Sequence, residues 1–144
     1  MRVLIDTCIV IDAMQNREPF AENARQLFRK AANKHFVGCL TAKSVTDIYY
    51  LTHRFTHDNK KARETLAKLF VLFETVDTAA MDCRKALGSG MSDYDDAVMC
   101  ETAARIDADC IVTRNTVDYA HSPVKVMTPE QLIAVLNEAV QSEP

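Results

Sequence analysis

The chain lacks an excess of positive charge, a pair of cysteines at metal-binding or redox spacing, a long uninterrupted apolar run, and every common glycine-rich phosphate loop. Each absence removes a class of function. With 17 Lys and Arg against 20 Asp and Glu, no overall positive field draws the protein to nucleic acid or anionic membrane. A nucleic-acid partner would need a local basic patch, or a metal ion between the like charges. The five cysteines (Cys8, Cys39, Cys83, Cys100, Cys110) are odd in number and widely spaced, so they read as reduced, packed thiols of a cytoplasmic protein. The apolar N-terminal run from Val3 to Ile11 is interrupted by Asp6 and followed by Asp12. It is therefore expected to be no signal peptide, and no stretch reaches the ~20 apolar residues of a membrane span. Without G-x-x-x-x-G-K-[ST], G-x-G-x-x-G or G-x-S-x-G, nucleotide-dependent and serine-hydrolase chemistry lack their parts. His53 and His57 are four apart, but with no further His or Cys nearby they make no zinc site.

What is present is the composition of an ordinary soluble globule, 48% hydrophobic and 26% charged over 144 residues. No repeat, low-complexity tract or linker divides it, so 1–144 is read as one domain. Short apolar runs alternate with segments of helical period. "RVLI" (2–5), "FVGCL" (36–40), "ETVDT" (74–78), "CIVT" (110–113) and "VKVM" (124–127) are predicted strands. Helices are predicted over 19–35, from Thr41 to Phe55, over 59–73 and 79–87, from Asp93 to Ile106, and after the Thr128-Pro129 cap. Strands alternating with helices imply parallel pairing through right-handed crossovers: an α/β protein, a three-layer α/β/α sandwich with a mainly parallel sheet of about five strands. Ligand sites in such sheets lie beyond the carboxyl ends of the strands.

Mostly aspartates are expected there. Asp6 follows "RVLI"; Asp47 lies in the helix after "FVGCL"; Asp96 opens the helix after the third strand and the "GSG" break at 88–90; Asn115 and Asp118 follow "CIVT". Such carboxylates raise one another's pKa unless a cation sits among them, and hard oxygen ligands of this kind suit Mg²⁺ or Mn²⁺. Simpler roles exist for each. Ser92-x-x-Asp95 resembles a capping box, which would make Asp93 the first helical residue and charge Asp93 and Asp95 to the helix dipole. Asp47 could pair with Lys43, Asp6 could be a strand-end turn residue, and Asp118 could close an Asx-turn. Asp96 lies deeper than capping requires, on a face with Ala97, Cys100, Ala103 and Ala104.

"VLIDTCIVID", "DYDDAVMCETAARIDADCIVTRNTVDY" and "KVMTPEQLIAVL" resemble the PIN-domain family, of the VapC-like kind, over nearly the whole chain. The resemblance implies the α/β/α fold and a Mg²⁺- or Mn²⁺-dependent ribonuclease, commonly the toxin of a toxin–antitoxin pair and commonly a homodimer. Its acidic positions fall on Asp6, Asp47, Asp96 and Asp118, its supporting polar positions on Thr113 and Asn115, with Asp93 as an additional candidate ligand. RNA, an antitoxin and a second copy are thus the expected partners. Arg54, Lys60, Lys61 and Arg114 are the candidate RNA contacts.

The chain departs from the family at Asp47, where Glu is more common; at Cys8, where Asn or Ser is common after D-T; and at Tyr119, where Phe is common. The first two departures motivate an alternative: a degenerate PIN-like protein that binds RNA or antitoxin without cleaving. A phosphoaspartate receiver also places acids beyond parallel strands. It would want an acidic neighbour for Asp6 and a Lys after the last strand, and this chain has neither.

Overall fold

The structure is a computed structural model in which residues 1–142 are described. Five strands, β1 (Arg2–Ile5), β2 (Val37–Thr41), β3 (Glu74–Val76), β4 (Cys110–Val112) and β5 (Val126–Met127), form one sheet in the order β3-β2-β1-β4-β5. Every pairing is parallel. The chain therefore winds outward from β1 through β2 to β3, then crosses back to lay β4 on the other side of β1. The crevice beyond the ends of β1 and β4 is the switch point of the sheet, where parallel folds place their ligands.

Among the described residues, seven α-helices connect and flank the strands: α1 (Thr7–Met14), α2 (Ala21–Ala32), α3 (Ala42–Thr56), α4 (Asn59–Leu72), α5 (Ala80–Ala86), α6 (Tyr94–Arg105) and α7 (Pro129–Ser142). Alternation along β1 feeds two cores. Val3 and Ile5 join Ile9, Leu27, Ile48, Leu69 and Leu132 under α1 to α4 and α7. Leu4 points the other way, with Ile111, Met99, Cys100 and Ala103 under α6. The period-2 pattern of a strand buried on both faces thus yields the three layers expected. At Gly38 a Cβ would lie 2.6 Å from the Phe73 ring and 2.9 Å from Ile5 Cδ1, so only glycine lets that ring close over β2. No helix of the described residues is long and apolar enough to cross a membrane.

Three departures from the expected elements have physical reasons. The run after Asp6 is helix α1, which apolar residues on most sides had concealed; its Ile9, Val10 and Ile11 are all buried. The cap of α6 is Asp93 and not Ser92: its side chain accepts the Asp96 amide at 2.9 Å, and Tyr94 is the first helical residue. A carboxylate also offsets the positive helix end, which a hydroxyl does not. Ala104 is exposed, so the packing face of α6 is Ala97, Cys100 and Ala103. Thr41 caps α3 as expected, accepting the Ser44 amide at 3.0 Å.

Candidate active site

Asp6 leaves β1 at the switch point and is 8% exposed. Its orientation comes from across the sheet. Thr113, fully buried just past β4, donates its hydroxyl to Asp6 Oδ2 at 2.6 Å and receives the Asn115 amide at 3.1 Å. The short O–H to O⁻ distance marks a charge-assisted bond. Asn115 thus supports the site through its backbone, while its side chain is exposed and makes no hydrogen bond among the described residues.

Asp96, in the first turn of α6, supplies the second carboxylate. Between it and Asp6 stands Tyr119, at the end of a 3-10 turn (Thr116–Tyr119), with its hydroxyl 3.1 Å from Asp96 Oδ1 and 3.4 Å from Asp6 Oδ2. The Asp96 carboxyl is pushed up to about 6, first by burial and then by the negative charges of Asp93, Asp6 and Asp118, against the Tyr119 hydrogen bond that favours ionisation. Three other aspartates, from three segments of chain, thus act on Asp96. Burial and the negative charges of Asp6 and Asp96 push the Tyr119 phenol upward, so it remains a hydrogen-bond donor. Cys8 lies 3.9 Å from the Thr113 hydroxyl, and burial and Asp6 push its thiol up to about 11. It is a packed thiol, not a nucleophile.

The raised Asp96 carboxyl makes a prediction for the metal-free protein. A group that binds its proton more tightly when folded contributes stability that is present at low pH and lost as pH rises through its folded value. Across the window from 3.8 to about 6, wild type should therefore lose stability relative to Asp96→Asn. In EDTA the variant should melt above wild type at neutral pH, with the gap closing near pH 4. Parallel melting curves at all pH values would remove Asp96 from the charge cluster.

Other expected site residues are placed differently. Asp47 is paired with Lys43, Nζ to Oδ2 at 2.6 Å, with its side chain 43% exposed. The same ammonium reaches Asp95 at 3.4 Å, so Lys43 ties α3 to the start of α6. Asp47 makes no hydrogen bond to Asp6 or Asp96 among the described residues. Asp118 is exposed in the 3-10 turn and contributes charge to Asp96. Asp93 is engaged as the α6 cap.

Of the candidate RNA contacts, Arg114 is committed elsewhere. It forms a bidentate pair with buried Asp12, Nε to Oδ2 at 2.5 Å and Nη2 to Oδ1 at 3.1 Å, and covers the Phe20 ring at 4.0 Å. Arg54, Lys60 and Lys61 are exposed at the α3–α4 junction. Arg54 lies eleven residues beyond Lys43 on α3, about 16 Å from it along the helix axis.

Sequence reasoning missed Asp12 and the Tyr119 hydroxyl as organising groups. For Asp12 the signal was an acid inside "IVIDAM", where a buried carboxylate demands a partner. For Tyr119 it was the polar atom that distinguishes it from Phe.

No group of three or more His, Cys, Asp or Glu able to hold a metal ion is formed among the described residues, so there is no closed all-protein cage. Mg²⁺ does not need one: it is commonly held by one or two carboxylates, with waters and substrate phosphates completing its shell. The donors present suit that mode. Asp6 Oδ1 and Asp96 Oδ2 receive no hydrogen bond among the described residues, and their partner oxygens are already engaged.

Comparison with known proteins bears on the family and the fold. A family model described as PIN domain matches residues 2–117. FitAcB from Neisseria gonorrhoeae shares the fold at TM-score 0.67 and 18% identity, covering 89% of this chain and 98% of that one. A toxin–antitoxin complex from Klebsiella pneumoniae gives TM-score 0.64 and 21% identity, covering 88% and 97%. VapC20 from Mycobacterium tuberculosis, described as a sarcin-ricin loop cleaving toxin, gives 0.59 and 13% over 76% and 86%. No curated protein matches the chain. With its switch-point aspartates, its all-parallel sheet and a family model matched over most of its length, this chain belongs to the PIN-domain family.

Proposed function

We propose that the chain is a Mg²⁺- or Mn²⁺-dependent endoribonuclease of the VapC kind, acting in the cytoplasm as the toxin of a toxin–antitoxin pair and assembling as a homodimer. The observation that carries the reading is the convergence of Asp6 and Asp96, from elements ninety residues apart, on the switch point of the sheet, with Asp93 and Asp118 adding charge and none of the four in a salt bridge among the described residues. The structure described as a toxin–antitoxin complex and the one described as a cleaving toxin supply the biological setting.

In this reading Asp6 and Asp96 hold the ion, with Asp118 as a further donor and Asp47 acting through water. The bound ion would supply a more acidic water for in-line attack and compensate the charge on the phosphate and the leaving oxygen. The chain's own residues do the rest. Thr113 fixes the Asp6 carboxylate, the α6 N-terminus and its Asp93 cap fix Asp96, and buried Leu4, Met99 and Ile111 form the core in which Tyr119 is held. RNA leaving the site along α3 would meet Arg54, Lys60 and Lys61.

Purified protein incubated with mixed RNA should cleave it in Mg²⁺ or Mn²⁺ and not in EDTA. Cleavage that persists in EDTA would overturn the metal mechanism. Retention of RNA without cleavage in any metal would favour the degenerate binding protein, for which Cys8 beside Thr113 is the motivating contact.

A further inference from the structure

The Tyr119 ring is 2% exposed, packed in the core with Leu4, Met99, Cys100 and Ile111, so its hydroxyl cannot swing away from the two acids it faces. We propose that this hydroxyl is a positioning group of the metal site: it clamps Asp6 to Asp96 so that Asp6 Oδ1 and Asp96 Oδ2 are the oxygens presented to the ion. The inference rests on the metal-dependent reading above and goes beyond it by assigning a role to a residue outside the acidic set.

The geometry distributes the oxygens. A phenol has one proton, shared here in a bifurcated bond whose stronger branch runs to Asp96 Oδ1 at 3.1 Å and whose weaker branch runs to Asp6 Oδ2 at 3.4 Å. Asp6 Oδ2 also takes the Thr113 proton at 2.6 Å. One oxygen of each carboxylate is therefore turned toward protein donors, and the other has none. Those free oxygens are not sealed in: Thr52 Oγ1 is the only wholly buried side-chain oxygen or nitrogen without a partner among the described residues. Both Asp6 Oδ1 and Asp96 Oδ2 thus meet solvent-accessible space, where an ion can enter.

A buried phenol needs one partner, and a single backbone carbonyl would satisfy it. This one instead spans two carboxylates, from the end of β1 and from α6, that would otherwise rotate apart under their own repulsion. Groups that orient ligand carboxylates in this way are worth about 10–100-fold in metal affinity. Replacing Tyr119 by Phe keeps the ring and its packing and removes only the clamp.

The test is calorimetric titration of Mn²⁺ into metal-free wild type, Tyr119→Phe and Asp96→Asn, without RNA, below the melting temperature of each. Wild type should bind, Asp96→Asn should lose binding, and Tyr119→Phe should bind about 10–100-fold more weakly. Equal or tighter binding by Tyr119→Phe overturns the clamp and leaves the metal site standing. No binding by wild type removes the metal site itself. A second measurement compares wild type with Tyr119→Phe at saturating Tb³⁺. The chain has no tryptophan and four tyrosines, among them Tyr94 near Asp96, so Tb³⁺ displacing Mn²⁺ should show tyrosine-sensitised emission that falls in Tyr119→Phe. A dark Tb³⁺ complex in wild type places the ion away from Tyr119 and overturns the proposal.

Discussion

Asp6→Asn and Asp96→Asn should each lower the rate of RNA cleavage in Mg²⁺ at least ~100-fold, the upper end of what losing a mere outer-shell partner costs, while Asp47→Asn should cost only about tenfold. The ranking follows from what each carboxylate does before any ion arrives. Asn keeps the size of Asp and an oxygen able to accept from Thr113 or Tyr119, so the first two variants remove charge and leave packing in place. At Asp96 that charge sits where burial and three other aspartates already oppose it, and an ion makes the arrangement favourable. Asp47 is already neutralised: Lys43 sits 2.6 Å away, and the pair is open to water. An exposed i,i+4 pair of this kind is worth a few tenths of a kcal/mol. Its loss therefore disturbs the field near the site more than the ligand set. Single-turnover cleavage across a Mg²⁺ titration separates the two effects. A loss at Asp47 equal to that at Asp6 would mean that Lys43 releases Asp47 to the ion, and the ranking would fall.

How much of this could be read before the fold was known depended on distance along the chain. Asp6 and Asp96 were legible because strand ends in a parallel sheet share an edge, and the alternating pattern placed both acids there. Lys43 beside Asp47 was legible as a neighbour pair one helical turn apart. The α6 cap was read one residue early, because Ser92 and Asp93 are both good caps and only the course of the backbone decides between them. Helix α1 was hidden for a different reason. Its residues are buried against strands on one side and other helices on the other, so no polar face marked its period. Contacts between remote segments left no local trace: Tyr119 sits 113 residues from Asp6, and Arg114 102 residues from Asp12. In each case the residue type was visible and its partner was not.

The second large effect belongs to that remote pair. Arg114→Met should destabilise the protein by about 3–5 kcal/mol, the range for removing one partner of a buried ion pair. Asp12 has no exposed surface, and both of its oxygens are taken by the guanidinium fork. Without Arg114 the carboxylate is left charged and unpaired among Ile9, Ile11 and their neighbours, or must take up a proton. Side-chain exposure of Arg114 is 24%, so water entering the vacated space should hold the loss toward the lower end of that range. The double variant Asp12→Leu/Arg114→Met should recover most of it, because a buried pair replaced by apolar groups of similar volume is commonly neutral. Urea unfolding of wild type, the single and the double variant, at unchanged denaturant slope, measures both quantities. A single-variant loss under ~1 kcal/mol would reduce the pair to a surface contact. The pair also bears on the site, because Arg114 directly follows Thr113 and Asp12 lies in the helix that Asp6 precedes. Both arms of the Thr113–Asp6 hydrogen bond are thus anchored by one buried ion pair, which is why an arginine expected to meet RNA serves the site from inside.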